Sequence, residues 1–142
     1  MKPLETLTPH SLQYGAACLA EIDPDLARVL STYGLPPMWD RRPGFPTLVH
    51  IILEQQVSLA SARAAFDKLN RLAASLTPGT FLQLSDQELK AAGFSRQKLG
   101  YCRGLAEQIT AGELDLATLG WMETDAAREK LLKVRGIGPW TA

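Results

Sequence analysis

Two stretches of this 142-residue chain hold residues whose types and spacing suit contact with an anion. The first is Gly136-Ile137-Gly138-Pro139-Trp140-Thr141, which follows an amphipathic run containing Lys133 and Arg135. Glycine at 136 and 138 permits positive φ and leaves no Cβ between the backbone and a ligand. Pro139 fits the first position of a new helix. Amides freed at such a hairpin and at a helix start point outward, where a phosphate can bind them. A tight helix–helix corner would use the same glycines only to turn. The basic residues before the hairpin and the Pro-Trp-Thr after it favour contact with a DNA backbone that does not read base sequence.

The second stretch is Gln55-Gln56, at the end of an apolar run and just before Ser58, a residue suited to cap a new helix. Two amides there are costly unless they meet polar partners. One reading has a planar amide reach into a duplex and replace the partner of an extruded base. The plainer reading has one glutamine cap the helix end while the other faces water, and the residues alone favour it. Ser95-Arg96-Gln97-Lys98 also places Arg96 and Lys98 at a helix start, as a second phosphate site or as an ordinary capped and solvated end. His10 and His50 lack nearby partners of catalytic type. Trp39, Trp121 and Trp140 read as core residues before they read as stacking platforms. The sequence has no Ser-His-Asp set, glycine-rich nucleotide loop or zinc spacing. On residues alone this is a helical binder of the DNA backbone, without chemistry.

Net charge is zero and apolar content is 46%, which suits a globular domain and excludes a disordered one. Charge is nevertheless segmented. Arg96, Lys98 and Arg103 stand without an acid over 94–104. Glu107, Glu113, Asp115, Glu123 and Asp125 stand without a base over 107–125. Arg128, Lys130, Lys133 and Arg135 outnumber Glu129 over 126–142. A local basic face and ordinary solvated helix faces both fit that pattern. Cys18 and Cys102 fit no metal spacing and read as small core residues of a reduced, cytoplasmic protein. No apolar run reaches the roughly 20 residues of a membrane helix. The start, Met1-Lys2-Pro3-Leu4-Glu5, lacks the apolar segment of a signal peptide.

The elements that must position these residues are all helical. Alternating β-branched runs are absent, while helix start and stop signals recur along the chain. Thr8-Pro9 opens a first helix with Leu12, Ala16, Leu19 and Ala20 along one side. Asp23 caps a second with a stripe of Leu26, Val29, Leu30 and Tyr33, ended by Gly34. A Pro- and Arg-rich loop over 35–44 follows; it could face a substrate, but a packed connection with Trp39 as its anchor is favoured. An apolar helix from about Pro46 carries Leu48, Val49, Ile51 and Ile52. Ser58 starts the next, with Ala62, Ala65, Phe66, Leu69 and Leu72 inward. Short helices come around Phe81–Leu84 and after the capping box Ser85-Asp86-Gln87-Glu88, closed by Gly93. Ser95 caps a long helix with Leu99, Cys102, Leu105, Ala106 and Ile109, ended by Gly112. Thr124 or Asp125 caps the last full helix. The expectation is one all-α domain over 1–142, a bundle of about eight helices whose final hairpin helix is cut short.

These residues also resemble a known family. Val134-Arg135-Gly136-Ile137-Gly138-Pro139-Trp140-Thr141-Ala142 resembles the hairpin of the helix-hairpin-helix DNA glycosylase superfamily. Ile51-Ile52-Leu53-Glu54-Gln55-Gln56-Val57-Ser58 resembles a segment of its alkylbase branch, the DNA-3-methyladenine glycosylase II type. Gly93 to Lys98 has the glycine-to-lysine spacing found between them. The resemblance covers roughly residues 20–142.

It implies base-excision repair on double-stranded DNA with alkylated bases. Such enzymes flip the damaged nucleotide from the stack, and an Asp carboxylate then assists cleavage of the N-glycosidic bond. It implies Gln56 as the wedge and Gln55 as its neighbour. The backbone of Gly136, Gly138, Trp140 and Thr141 would hold phosphate, with Arg96, Lys98, Lys133 and Arg135 adding charge. It requires no cofactor, but implies Na+ or K+ at the carbonyls of Leu132, Val134 and Ile137. Trp140 stands where strand-cutting members carry a Schiff-base lysine, so a monofunctional enzyme is implied. The family's catalytic Asp falls past Ala142, so the 142 residues alone are expected to be inactive and to self-associate through exposed apolar surface. The alternative is a non-enzymatic helix-hairpin-helix DNA-binding module.

Overall fold

Side-chain caps set most helix starts. In the computed structural model, which describes residues 7–142, Thr8 opens α1 (Pro9–Ile22) through a reciprocal capping box with Ser11. Asp23 accepts from the amides of Asp25 and Leu26 to open α2 (Pro24–Tyr33). Ser58, Thr77, Ser85 and Ser95 do the same for α4 (Leu59–Leu72), α5 (Pro78–Gln83), α6 (Asp86–Ala92) and α7 (Arg96–Thr110). Each such cap contributes about 1 kcal/mol. α3 (Phe45–Glu54) starts after Gly44 without a side-chain cap. The segment Met1–Glu5, read above for a leader, lies outside the described residues.

Two expectations about helices change. The turn near Leu116 is a helix, α8 (Leu116–Leu119), because Asp115 accepts from Ala117 N at 2.9 Å; this makes nine helices and no strand among the described residues. α9 (Thr124–Leu132) begins after Glu123, so Thr124 and Asp125 lie inside it and neither caps it.

The chain divides into two compact units, one ending at Arg41 and the other spanning Arg42–Ala142. In the first, α1 packs against α2, yet none of the described residues up to Arg41 is buried. Cys18 is only partly covered. Trp39 is 81% exposed and anchors nothing.

The second unit holds the core. α3 lies against α4 and α7, α5 against α7, and α6 against both α4 and α7. Phe81 is fully buried at the centre, with Phe45 edge-on at 5.7 Å and Phe94 at 5.9 Å. Burying a side chain of that size contributes about 1.5–3 kcal/mol. Gly93 closes α6 with φ 111°, and a Cβ there would sit 3.2 Å from Ala65 Cβ, so α6 and α4 approach closely only because both residues are small.

Arg103 reaches from α7 to the α5–α6 junction. It donates to the Leu84 carbonyl at 2.7 Å and pairs with Asp86 at 2.7 Å. Within α4, Ala62, Ala65 and Leu69 are buried and Phe66 packs partly buried against the core, stacked on His50 at 4.3 Å, while Leu72, expected inward, is exposed.

Candidate nucleic-acid interface

α3 ends at Glu54 because the backbone leaves the helical region at Gln55 (ψ 125°) and then turns left-handed at Gln56 (φ 57°). Gln56 is the one non-glycine residue with positive φ among the described residues. A conformation of that kind costs about 1–2 kcal/mol for a residue with a Cβ, and such strain concentrates at functional sites. Gln56 and Val57 project into solvent, while Gln55 is half-buried. The Lys98 ammonium donates to the Leu53 carbonyl at 2.6 Å and so satisfies the last turn of α3. Burial pulls the Lys98 pKa below its ordinary value, an effect partly offset by Cys102.

The hairpin follows α9. Val134 and Ile137 are buried and anchor it to the core. Gly136 has φ 95°, and a Cβ there would come within 2.5 Å of Tyr101 Cγ. Gly138 differs. Its φ is not positive and a Cβ would meet nothing within 4 Å, so neither backbone conformation nor internal packing requires glycine there. The expectation of positive φ at both glycines therefore holds at Gly136 alone. The Gly138 carbonyl accepts from Thr141 N at 2.9 Å and Ala142 N at 3.0 Å, the first turn of a new helix behind Pro139. Among the described residues, the amides of Gly136, Gly138 and Trp140 donate to no protein acceptor; the Thr141 amide is already engaged.

Turn and hairpin meet. The Gln55 side-chain amide donates to the Gly136 carbonyl at 2.8 Å, joining residues 81 positions apart. A cleft of about 310 Å³ lies at this bond, between Gln56, Lys98, Tyr101 and Gly138. A second, of about 500 Å³, also includes Gln55 and Gly136 and is lined by Glu54, Gln56, Gly138 and Trp140. A third, of about 510 Å³, lies between Arg96, Tyr101 and Arg135. The Tyr101 hydroxyl accepts from Gln97 Nε2 at 2.7 Å, and Arg135 lies 6.0 Å above its ring. Arg96, Lys133 and Arg135 have no carboxylate partner among the described residues.

The structure thus brings Gln55, Gln56, Lys98, Gly136 and Gly138 to one place, with Arg96 and Arg135 beside it. Thr141 and the 99% exposed Trp140 line the second cleft. Lys133 caps the end of α9, exposed. Gln55 is the C-cap of α3 and Gln56 is exposed, as the plainer reading has it, and the Gln55 side-chain amide is used on the hairpin. Two readings change. His50 has a partner, Glu54 at 3.6 Å. Trp39, Trp121 and Trp140 are all exposed, so none is a core residue. Tyr101 supports the hairpin, and its one signal in the sequence is a large aromatic next to the buried stripe of Leu99, Cys102, Leu105 and Ala106 on α7.

The fold and this paired arrangement define a helix-hairpin-helix protein, and comparison with known proteins agrees. Residues 49–137 match the model of the HhH-GPD superfamily base excision DNA repair protein. The chain belongs to that family. YfjP of Bacillus subtilis (strain 168), provisionally named a DNA-3-methyladenine glycosylase, is 39% identical over 64 residues, 45% of this chain and 22% of that one. A DNA-3-methyladenine glycosylase of the same organism is 37% identical over 60 residues, 42% of this chain and 20% of that one. Those matches span about a fifth of the relatives.

Among solved structures, a DNA-3-methyladenine glycosidase from Bacillus halodurans superposes with a TM-score of 0.73 at 29% identity, covering 99% of this chain and 64% of that one. The Schizosaccharomyces pombe 3-methyladenine DNA glycosylase Mag1, solved with abasic DNA, superposes at 0.78 with 20% identity, covering 90% of this chain and 66% of that one, and speaks to the fold.

Proposed function

We propose that this chain is the DNA-engaging part of a monofunctional glycosylase that removes alkylated purines of the 3-methyladenine type from double-stranded DNA. The observation that carries the proposal is the bond between Gln55 and Gly136, which sets a strained, solvent-facing Gln56 beside three open hairpin amides. The amides of Gly136, Gly138 and Trp140 take a backbone phosphate, and Lys133, Arg135, Arg96 and Lys98 supply positive charge around it. Gln56 enters the stack as the damaged nucleotide leaves it. The Thr141 amide contributes less, since it already holds the Gly138 carbonyl. Trp140 at the position of the lyase lysine leaves hydrolysis without strand cutting.

The carboxylate that stabilises the cationic sugar in such a reaction has no candidate Asp here. Asp25, Asp67 and Asp86 are paired with Arg28, Arg63 and Arg103, while Asp23 and Asp115 cap helices. Neither Asp40 nor Asp125 lines the clefts at the Gln55–Gly136 bond. Residues 1–142 alone are therefore proposed to bind without releasing a base.

Carbonyls of Leu132, Val134 and Ile137 are hard oxygen donors of the kind Na+ or K+ takes. The Val134 carbonyl accepts from Ile137 N at 3.0 Å and keeps one lone pair for an ion. Such an ion would supply positive charge next to the phosphate. The exposed Trp140 and Leu132 support self-association. No helix among the described residues is long and apolar enough to cross a membrane, and the proposed setting is cytoplasmic.

The test is fluorescence anisotropy of the 142-residue chain on duplex DNA carrying an abasic-site analogue, against undamaged duplex. Base release from alkylated DNA is assayed alongside, for this chain and for a chain supplemented by a carboxylate-bearing segment of a relative. Tighter binding to the damaged duplex, with release only by the supplemented chain, is expected. Equal binding to both duplexes with no release would favour the non-enzymatic module.

A further inference from the structure

We infer that Gln55 is a positioning residue that couples the turn carrying Gln56 to the hairpin, so that phosphate binding and entry into the stack occur as one event. This rests on the reading of the hairpin as the phosphate grip and of Gln56 as the wedge. It assigns Gln55 a role other than touching DNA.

The geometry argues for coupling in three ways. The Gln55 amide nitrogen reaches Gly136 O at 2.8 Å, and Gly136 is the residue on which the hairpin turns, with φ 95° and no room for a side chain against Tyr101. The bond is part-buried, where a hydrogen bond holds its geometry better than one in water. Gln55 is also the neighbour of Gln56, whose left-handed backbone persists only if the surrounding structure holds it.

From the other side, the α3 end that carries Gln55 is held by Lys98 through the Leu53 carbonyl at 2.6 Å. The α3–α4 turn is thus tied to α7 at Leu53 and to the hairpin at Gln55. The Gln55–Gly136 hydrogen bond and the Gln55–Gln56 peptide unit connect the hairpin to Gln56.

The experiment is a double-mutant cycle in the full 142-residue chain with Gln55→Met, which keeps length and removes the donor, and Gln56→Ala. The readout is the ratio of affinities for duplex DNA with an abasic-site analogue and for undamaged duplex. Gln56→Ala alone is expected to lower that ratio about tenfold, equivalent to roughly 1.4 kcal/mol. In the Gln55→Met background the same substitution is expected to change it by less than about twofold, because the wedge is already uncoupled. Gln55→Glu, which has the same shape but turns an acceptor toward the Gly136 carbonyl, is expected to reproduce Gln55→Met, and circular dichroism melting checks that all four variants, the double mutant included, fold.

Independent, multiplicative effects of the two substitutions overturn the coupling while leaving the grip and wedge intact. Wild-type affinities that are equal for both duplexes overturn the reading beneath it, and the coupling with it.

Discussion

Gly136 packs directly against the ring of Tyr101: a Cβ added at 136 would come within 2.5 Å of Cγ and 2.9 Å of Cβ of that side chain. With φ 95° at the same residue, two independent constraints demand glycine there. Gly138, two positions on, is under neither. The two glycines of the hairpin therefore have separable roles. Gly136→Ala is expected to destabilise the fold by about 2–4 kcal/mol, read from urea unfolding. Gly138→Ala is expected to leave stability within about 0.5 kcal/mol and still weaken duplex binding about tenfold, by placing a methyl where a phosphate must approach. Equal losses of stability in the two variants would refute the distinction.

Lys98 tests how a cation can be used inside the protein. Its ammonium holds the Leu53 carbonyl at the end of α3. Lys98→Met is expected to cost about 1–2 kcal/mol in urea unfolding because that carbonyl loses a charged donor. A neutral effect on stability, with DNA binding alone reduced, would show that Lys98 serves only the ligand.

Arg96 and Arg135 flank Tyr101 without carboxylate partners among the described residues. If each meets one phosphate, Arg96→Gln and Arg135→Gln should each reduce the slope of log affinity against log salt by about 0.9. The measurement is a salt titration of duplex binding. An unchanged slope for either variant removes that residue from the DNA path.

Cys102 is fully buried, and burial pushes its thiol from 9.0 up to about 12. The unfolded chain releases that proton near pH 9 while the folded chain retains it to about 12. This contribution is fully present below pH 9 and is lost as pH rises toward 12, by at most about 1.4 kcal/mol per pH unit. Urea unfolding at pH 8 and pH 10 should show the loss, and Cys102→Ala should abolish it. In native protein a thiol reagent should label the partly covered Cys18 and spare Cys102.

Local signals were legible and non-local ones were not. Thr8, Asp23, Ser58, Ser85 and Ser95 cap the helices their spacing suggests, because a cap bond is made with an amide two or three positions away. The basic run of Arg96, Lys98 and Arg103 reads in sequence as a single charged segment. In the fold, Arg103 serves the α5–α6 junction, Lys98 serves α3, and only Arg96 is left open. No count of charges separates them, since each partner lies far along the chain. The same holds for Gln55, whose partner is 81 positions away, and for Tyr101, whose contact with the hairpin depends on how α7 lies beside it. The exposure of Trp39, Trp121 and Trp140 runs against the hydrophobicity of the residue type, which says nothing of where the neighbours end.

The Gln55–Gly136 bond also bears on the order in which the chain becomes competent. Helices α4 to α7 make their caps and ladders from neighbouring residues, and such contacts form early. The turn at Gln55 and Gln56 must wait for a hairpin 81 positions further on. In a polypeptide made from its N-terminus, Gln55 is synthesised long before Gly136 exists to receive its amide. The bond therefore closes only once residue 136 is in place, and as a part-buried polar bond between distant segments it is open to local opening.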